Sequence, residues 1–369
     1  MTSESRGRTE VLTPRARRLL PVFLFVLLGL AVYQLWYTLP ARVRLSGSTM
    51  GTTWSVVLRG EGHTRDDLLA ARESIAERLA TVDRLMSTWE VDSELSRFNR
   101  HALPAPFTLS SETLYVLELA RSVSQRTGGA FDVTVGPLVA AWGFGAEARV
   151  PGRGPDAAEL EELRARVGYG RLTIDSENQT ASKARVDLQC DLSAIAKGYG
   201  VDSVARALDG LGWEAYLVEV GGEVRVRGER PRGGPWQVGI ERPDETERAV
   251  QGIVPLTDLS MATSGDYRIF YEVEGERRSH IVDPRTGRPV THNVASVSVV
   301  HREAALADAW ATALTVLGPD QGFALAESEG LGAYFLVRTG PDRFAARATS
   351  HFPPLRASEV GSGSGSEGE

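Results

Sequence analysis

Three short segments carry residues whose types and spacing could do chemistry. In DLSAIAKGYG (Asp191 to Gly200), Asp191 and Ser193 are natural helix N-cap residues and helix formers follow them. Lys197 then falls in the first turns of that helix, where a cation opposes the helix dipole. Two readings fit: a capped helix with one solvated lysine, or a lysine that joins free backbone N–H groups around an anion such as a phosphate. In ADAWATALTVLG, Asp308 and Thr312 stand one helical turn apart and share a face. Their neighbours are apolar, so the carboxylate needs a partner. An oxygen-only pair suits a hard cation, and Mg2+ is often held by one or two carboxylates plus substrate phosphate. The alternative is a threonine bonded back to the preceding turn beside an exposed aspartate. In SHIVDPRTGRPV (Ser279 to Val290), Asp283 to Gly287 has turn chemistry. His280 enters that turn from a strand and is the best-placed general base in the chain, with a purely structural histidine as the alternative.

Three further stretches are rich in glycine and small residues: GSTMGTTW (Gly47 to Trp54), TGGAFD (Thr127 to Asp132) and EVGGE (Glu219 to Glu223). Glycine there permits either a close approach of backbone to ligand or a tight turn. Met50 and Trp89 could pack against a flat ring, or belong to the core.

These segments need a scaffold, and hydrophobic periodicity indicates its elements. Leu68, Ala71, Ile75, Leu79, Val82 and Met86 recur at helical spacing. Leu114 to Val123, Val204 to Leu211 and Ala305 to Leu317 read as further helices, the last ending at Gly318 as a C-cap. Strands are expected over Trp54 to Leu58, Tyr216 to Val220, Val224 to Val226, Trp236 to Ile240, Tyr267 to Val273, Val297 to Val300 and Tyr334 to Val337. Helices do not alternate strictly with strands, and several strands look hairpin-linked, which favours α+β over a doubly wound sheet. No GxGxxG turn supports a dinucleotide-binding Rossmann unit. Gly and Pro clusters at Pro151 to Pro155 and Pro231 to Pro235 read as surface loops.

Outside the domain the chain changes character. Leu19 to Leu39 is apolar and uncharged, and matches the ~20 residues a helix needs to cross a bilayer. Arg6, Arg8, Arg15, Arg17 and Arg18 precede it, against Arg42 and Arg44 after it. The positive-inside rule then keeps residues 1–18 in the cytoplasm and exports the chain beyond Pro40, with Trp36 and Tyr37 at the interface. A cleaved signal peptide is the runner-up, since Leu39 to Ala41 offers a poor processing site. The expected organisation is a cytoplasmic tail over 1–18, a transmembrane anchor over 19–39, one exported domain over 43–357, and a disordered Gly/Ser tail over 358–369. A net charge of -7 argues against nonspecific nucleic-acid binding. The single cysteine, Cys190, excludes an internal disulfide and reads as a small core residue.

Taken in order, GSTMGTTW, MSTWEVDSELSRFN (Met86 to Asn99), TGGAFDVTVGPL (Thr127 to Leu138), DLSAIAKGYGVD (Asp191 to Asp202), EVGGEVRVRG, SHIVDPRTGRPV and ADAWATAL (Ala307 to Leu314) resemble the ApbE family of FAD:protein FMN transferases. The resemblance implies a single α+β domain related to the T-fold, with mixed, largely antiparallel sheets and packed helices. It implies FAD as substrate and bound Mg2+, held by Asp308, Thr312 and the backbone carbonyl of Ala194. Asp191 and Lys197 would contact FAD, while Met50, Trp89, Ala130, Phe131, Asp132 and the backbone near Ile281 would line the rest of the nucleotide site. Trp89 departs from the Tyr expected there, keeping an aromatic face without the hydroxyl. His280 matches a histidine of the transfer step. The implied reaction joins FMN through a phosphoester to a Thr or Ser of an exported flavoprotein and releases AMP. The implied acceptors are respiratory-complex subunits of the Na+-translocating quinone reductase, Rnf or nitrous-oxide-reductase accessory type. The expected address is the bacterial inner membrane, single-pass, with the catalytic domain on the periplasmic side. Two rival activities are an FAD pyrophosphatase yielding free FMN and AMP, and a flavin-binding module without turnover.

Overall fold

The computed structural model describes residues 14–37, 39–102, 105–146, 148–149, 154–243, 249–266, 269–273, 276–340 and 343–356, with side chains left out at 14, 17, 31–37 and 276. Eight strands form one sheet: β1 (Arg42–Thr49), β2 (Thr52–Arg59), β3 (Tyr216–Val220), β4 (Glu223–Arg227), β5 (Ser260–Gly265), β6 (Val294–His301), β7 (Gly332–Gly340) and β8 (Arg343–Ala348). Their spatial order follows their order along the chain, and each neighbouring pair is antiparallel. The chain therefore builds a meander, leaving it for long excursions and returning each time beside the strand it left.

A helix α1 (Pro14–Tyr37) precedes the sheet. The longest excursion, between β2 and β3, holds α2 (Arg65–Met86), α3 (Glu94–Arg100), α4 (Ser111–Arg126), α5 (Gly136–Ala141), α6 (Ala157–Arg164) and α7 (Ala196–Gly210). A two-stranded ribbon, Trp236–Glu241 with Val250–Leu256, separates β4 from β5. Two small hairpins separate β5 from β6, and α8 (Ala304–Ser328) separates β6 from β7.

Strand alternation sorts the sheet's two faces. In β2, Trp54, Val56 and Leu58 join Ile75 and Leu79 of α2 and Val201, Val204 and Leu208 of α7. Val57 points the other way, into a core with Val224, Val226 and the ribbon's Trp236, Val238 and Ile240. Helix α2 buries the predicted stripe Ala71, Ile75, Leu79, Val82 and Met86, each large member contributing about 1.5–3 kcal/mol. Its N-terminus is closed by a capping box: Thr64 Oγ1 accepts from Asp67 N–H at 3.3 Å, and Asp67 accepts from Thr64 N–H at 2.8 Å.

Helices α7 and α8 cross almost backbone to backbone. A Cβ added at Gly198 would lie 2.3 Å from the Ala304 carbonyl oxygen, so only glycine fits. Asp202 of α7 then caps α8, accepting from Ala304 N–H at 3.0 Å and Ala305 N–H at 2.9 Å, and Arg225 of β4 holds the same carboxylate at 2.5 Å. Gly198→Ala is expected to lower the unfolding free energy by about 1–3 kcal/mol. An unchanged urea midpoint would refute the tight crossing.

Several expectations are corrected. Asp191 and Ser193 do not cap α7, whose N-cap is Ile195; the Asp191 carboxylate instead accepts from Ser193 N–H at 2.8 Å in a local turn. Helix α7 is longer than the expected Val204 to Leu211, since Gly198 and Gly200 sit in its buried first turns. Helix α8 does not stop at Gly318: that residue leaves helical geometry at φ 82, ψ -176, and a second helical segment starts at once with Pro319, whose missing N–H suits a first turn. The strand expected over Tyr267 to Val273 is present as Phe270–Val273, residues 267–268 lying outside the described residues. In β1 only alternate residues are half-buried and β5 is short and polar, so neither stood out by hydrophobicity.

The fold is thus a mixed α+β domain built on antiparallel sheet. Helix α1 covers most of the apolar run, but the expected interfacial residues Trp36 and Tyr37 lie, as side chains, outside the described residues, as do residues 1–13 and the tail 358–369. Among the described residues, which omit the side chains of 31–37, no helix is long and apolar enough to cross a membrane, so the span expected over 19–39 finds no support in them.

Candidate active site

A cavity opens where the β3–β4 turn, the end of β5, the start of α7 and the first half of α8 converge. The cavity measures about 470 Å³ and is lined by Ala130, Phe131, Asp132, Asp191, Ala194, Lys197, Glu223, His280, Ile281, Asp308 and Thr312 among others. It therefore brings together groups from five separate stretches of chain.

At its floor lies a charged cluster. Lys197 Nζ is 3.0 Å from Glu223 Oε1 and 3.6 Å from Asp308 Oδ2. Asp308 Oδ2 also accepts from Gly198 N–H at 3.1 Å. The two carboxylates are nearly sealed from solvent, with 4% and 6% side-chain exposure, against 30% for Lys197. Lys197 follows the N-cap of α7 by two positions, so the dipole disfavours its charge. Desolvation opposes that charge as well, but Asp308 and Glu223 outweigh it and hold the ammonium above its usual range. Burial pushes Glu223 up to about 8 against the pull of Lys197. Burial also raises Asp308, opposed by Lys197 and the Gly198 N–H. Two acids thus share one cation, and Glu223 Oε2 is buried with no hydrogen-bond partner. A second positive charge at the cluster would let both carboxylates ionise.

Thr312 lines the cavity one turn beyond Asp308. The backbonded threonine of this helix is Thr315, whose hydroxyl donates to Ala311 O at 2.8 Å. Asp308, Thr312 and the Ala194 backbone offer hard oxygen donors suited to Mg2+. Among the described residues no three His, Cys, Asp or Glu side chains cluster as a metal cage, so such an ion would complete its shell with water or phosphate oxygens.

His280, which lines the same cavity, is partly buried, and its Nδ1 lies 2.9 Å from Ile269 O. A carbonyl only accepts, so Nδ1 carries the proton and Nε2 presents a lone pair. Desolvation holds the imidazole below its ordinary pKa of 6.5, opposed by the bond to Ile269. The ring is therefore neutral at pH 7.

Asp132 lines the cavity, but its carboxylate holds a loop: it accepts from Thr134 N–H at 2.8 Å, Thr134 Oγ1 at 2.7 Å and Tyr169 N–H at 2.7 Å. Two sequence candidates stand outside the main lining. Met50 turns its thioether onto Gly200, 3.2 Å from where a Cβ would sit there, and packs with the core. Trp89, 68% exposed, borders a smaller cavity of about 250 Å³ that shares Val139 and Asp191 with the larger one.

In the sequence EVGGE stands out for its glycines and not for the carboxylate at its end. Gly221 has φ +62, and a Cβ there would meet Thr52 at 3.0 Å and the Lys197 stem at 3.2 Å. The only available signal was a glycine pair directly before an acidic residue. Thr263, Ser264 and Gly265, the polar end of β5, also line the cavity and gave no signal.

Comparison with known proteins agrees with this arrangement. Residues 50–335 match the model of the ApbE family. The FAD:protein FMN transferase of Vibrio cholerae serotype O1 is 45% identical over 314 residues, covering 85% of this chain and 92% of that protein. The FAD:protein FMN transferase of Escherichia coli K12 is 38% identical over 317 residues, covering 85% and 89%. The solved structure of the flavin transferase ApbE from Vibrio cholerae superposes with a TM-score of 0.76 at 44% identity, covering 84% of this chain and 98% of that one.

Proposed function

This chain belongs to the ApbE family, and on that footing we propose how it works as an FAD:protein FMN transferase. A Thr or Ser hydroxyl of an acceptor protein attacks the FMN-side phosphorus of FAD. A phosphoester bond forms, the phosphoanhydride bond to AMP breaks, and AMP leaves. The observation that carries this reading is one cavity lined both by a lysine on two carboxylates and by a histidine whose Nδ1 is tied to a carbonyl, leaving Nε2 as the lone-pair nitrogen.

The Lys197 ammonium offers a fixed positive charge to the pyrophosphate oxygens, and needs no reorganisation as charge develops on them. His280 Nε2 takes the proton of the attacking hydroxyl, while the bond from Nδ1 to Ile269 O keeps the ring in the required tautomer. Asp308, Thr312 and the Ala194 carbonyl would hold Mg2+, with the unpaired Glu223 oxygen as a further buried acceptor nearby. When bound, the ion supplies Lewis-acid neutralisation of phosphate charge. Ala130, Phe131, Ile281 and Asp191 supply the mainly apolar wall against which the flavin nucleotide lies.

His280→Ala is expected to slow transfer by about 10²-fold and to remove the acid limb of the pH profile. In the unaltered chain that limb falls below pH 6.5, because desolvation depresses the His280 pKa. The measurement is acceptor mass gained as FMN under saturating FAD and Mg2+. A His280→Ala profile that keeps the same acid limb would sink this assignment. Free FMN and AMP with no protein-bound flavin would instead favour a pyrophosphatase, and intact retained FAD a binding module.

The apolar run anchors the domain in the bacterial inner membrane as a single span, with the catalytic side in the periplasm. Support comes from Leu19, Val22, Phe23, Phe25 and Leu28, exposed around α1, and from the arginines that precede them. An anchored transferase meets its acceptors by diffusion in the membrane plane. Those acceptors are exported subunits of respiratory complexes of the Na+-translocating quinone reductase, Rnf or nitrous-oxide-reductase accessory type. Partition of the full chain into a carbonate-washed membrane pellet, lost on deleting residues 19–39, tests the anchor.

A further inference from the structure

The acceptor must bring a Thr or Ser side-chain hydroxyl into the cavity, and the ribbon between β4 and β5 has the features to receive the backbone that carries it. Its second strand is covered on its outer edge. Ile253 N–H donates to Arg356 O at 3.0 Å, and Arg356 N–H donates to Ile253 O at 2.9 Å. Both polar groups of Ile253 thus point away from the first strand. Ile253 is paired across the ribbon with Gly239, so that pair is a non-hydrogen-bonded one. In an antiparallel ladder such a residue turns its own N–H and C=O outward as well. Gly239 therefore turns both groups outward, away from the second strand of the ribbon. Gln237 does the same, two residues earlier. Its partner Pro255 fits that position, because the N–H it lacks would have pointed away from Gln237.

Among the described residues the ribbon is a separate two-stranded sheet, and neither Gln237 nor Gly239 makes a further backbone hydrogen bond. Natural edges are usually blunted by Lys, Pro or a cover, yet Trp236 to Ile240 contains no Lys, Arg or Pro. Gly239 is exposed and carries no side chain to keep another backbone away. Val238 and Gly239 also line the cavity that holds Lys197 and Asp308, so the edge runs directly into the site.

We propose that an extended segment of the acceptor protein docks as an added strand on the ribbon edge at Gln237 and Gly239, and so carries its Thr or Ser into the cavity. The occupant is a peptide main chain rather than the flavin ring. A ring's imide edge can pair with one outward amide, whereas Gln237 and Gly239 repeat the same pair at about 7 Å, the two-residue period of a strand. This docking rests on the transferase reading.

The test uses the full chain with FAD, Mg2+ and short synthetic peptides, each with a single central Thr, read by the mass of added FMN. Gly239→Pro removes the outward N–H without taking one from the ribbon ladder. It is expected to raise the peptide KM about tenfold, the scale of one hydrogen bond, with the FAD dissociation constant unmoved. Backbone N-methylation along the best peptide is expected to weaken transfer at alternate residues only. A flat N-methyl pattern overturns the proposal, whatever the fate of the proline variant. So does a Gly239→Pro change that weakens FAD and peptide equally, since the edge would then be reading the flavin. If the unaltered chain releases FMN and AMP and labels no peptide, the transferase reading fails first and the docking falls with it.

Discussion

Asp308→Ala is expected to lower FMN transfer by at least about 10³-fold, the scale for removing a preorganised electrostatic contact in a closed site. Three effects coincide at this carboxylate. It is the acidic member of the oxygen donor set on α8, it accepts the Gly198 N–H at 3.1 Å, and it lies 3.6 Å from Lys197 Nζ. Removing it deprives a divalent cation of its carboxylate ligand and loosens the start of α7. The loss should exceed that of His280→Ala, because a proton acceptor is partly replaced by water and a charge ligand is not. Single-turnover transfer at saturating FAD and Mg2+ is the measurement. A full rate from Asp308→Ala would falsify the metal assignment, and restoration by Asp308→Glu but not Asp308→Asn would strengthen it.

Lys197→Met should produce the largest change in stability. The substitution keeps the apolar stem and strands two buried acids. Breaking a fully buried pair costs about 3–5 kcal/mol. Lys197 keeps 30% exposure, so about 2–3 kcal/mol is expected here. The sign with pH comes from Glu223. Its folded pKa, about 8, lies above the ordinary 4.5, so the folded chain holds the proton more tightly than the unfolded one. Stability from this group is present below pH 4.5 and is lost as pH rises through 8. Without the lysine nothing offsets ionisation, so the deficit of Lys197→Met should grow between pH 5 and pH 8.5. Urea titrations of chelator-treated protein at those two values read it directly. A deficit independent of pH would show that Lys197 does not compensate Glu223.

The sequence made the helices and the hydrophobic strands legible because burial imposes a period. Ile75, Leu79 and Val82 repeat at helical spacing, and Val218 and Val220 alternate at two. Polar strands escaped: β1 carries Arg42, Arg44 and Ser46, and β5 ends Thr263, Ser264, Gly265. Both are held by ladder hydrogen bonds, which leave no mark on side-chain type. The site was legible where chemistry demands a rare placement, such as Lys197 in a first helical turn or Asp308 among alanines. Glu223 was not, because an acid after a Gly-Gly turn looks like any solvated hairpin end until the fold tucks it under Lys197. Gly318 misled for a local reason: it does break the helix, but Pro319 restarts one.

Two clamps, the Gly198 contact with Asp308 and the Asp202 cap on Ala304 and Ala305, tie α7 and α8 at successive turns. One contact alone would leave a pivot; two along the crossing remove it. The anion-handling half of the enzyme is therefore an anvil, fixed before any nucleotide arrives. Adjustment to differently shaped acceptors then falls to the parts of the cavity wall outside this crossing, such as the ribbon residues Val238 and Gly239. Relatives with new clients should then differ in those parts and leave the helix crossing untouched.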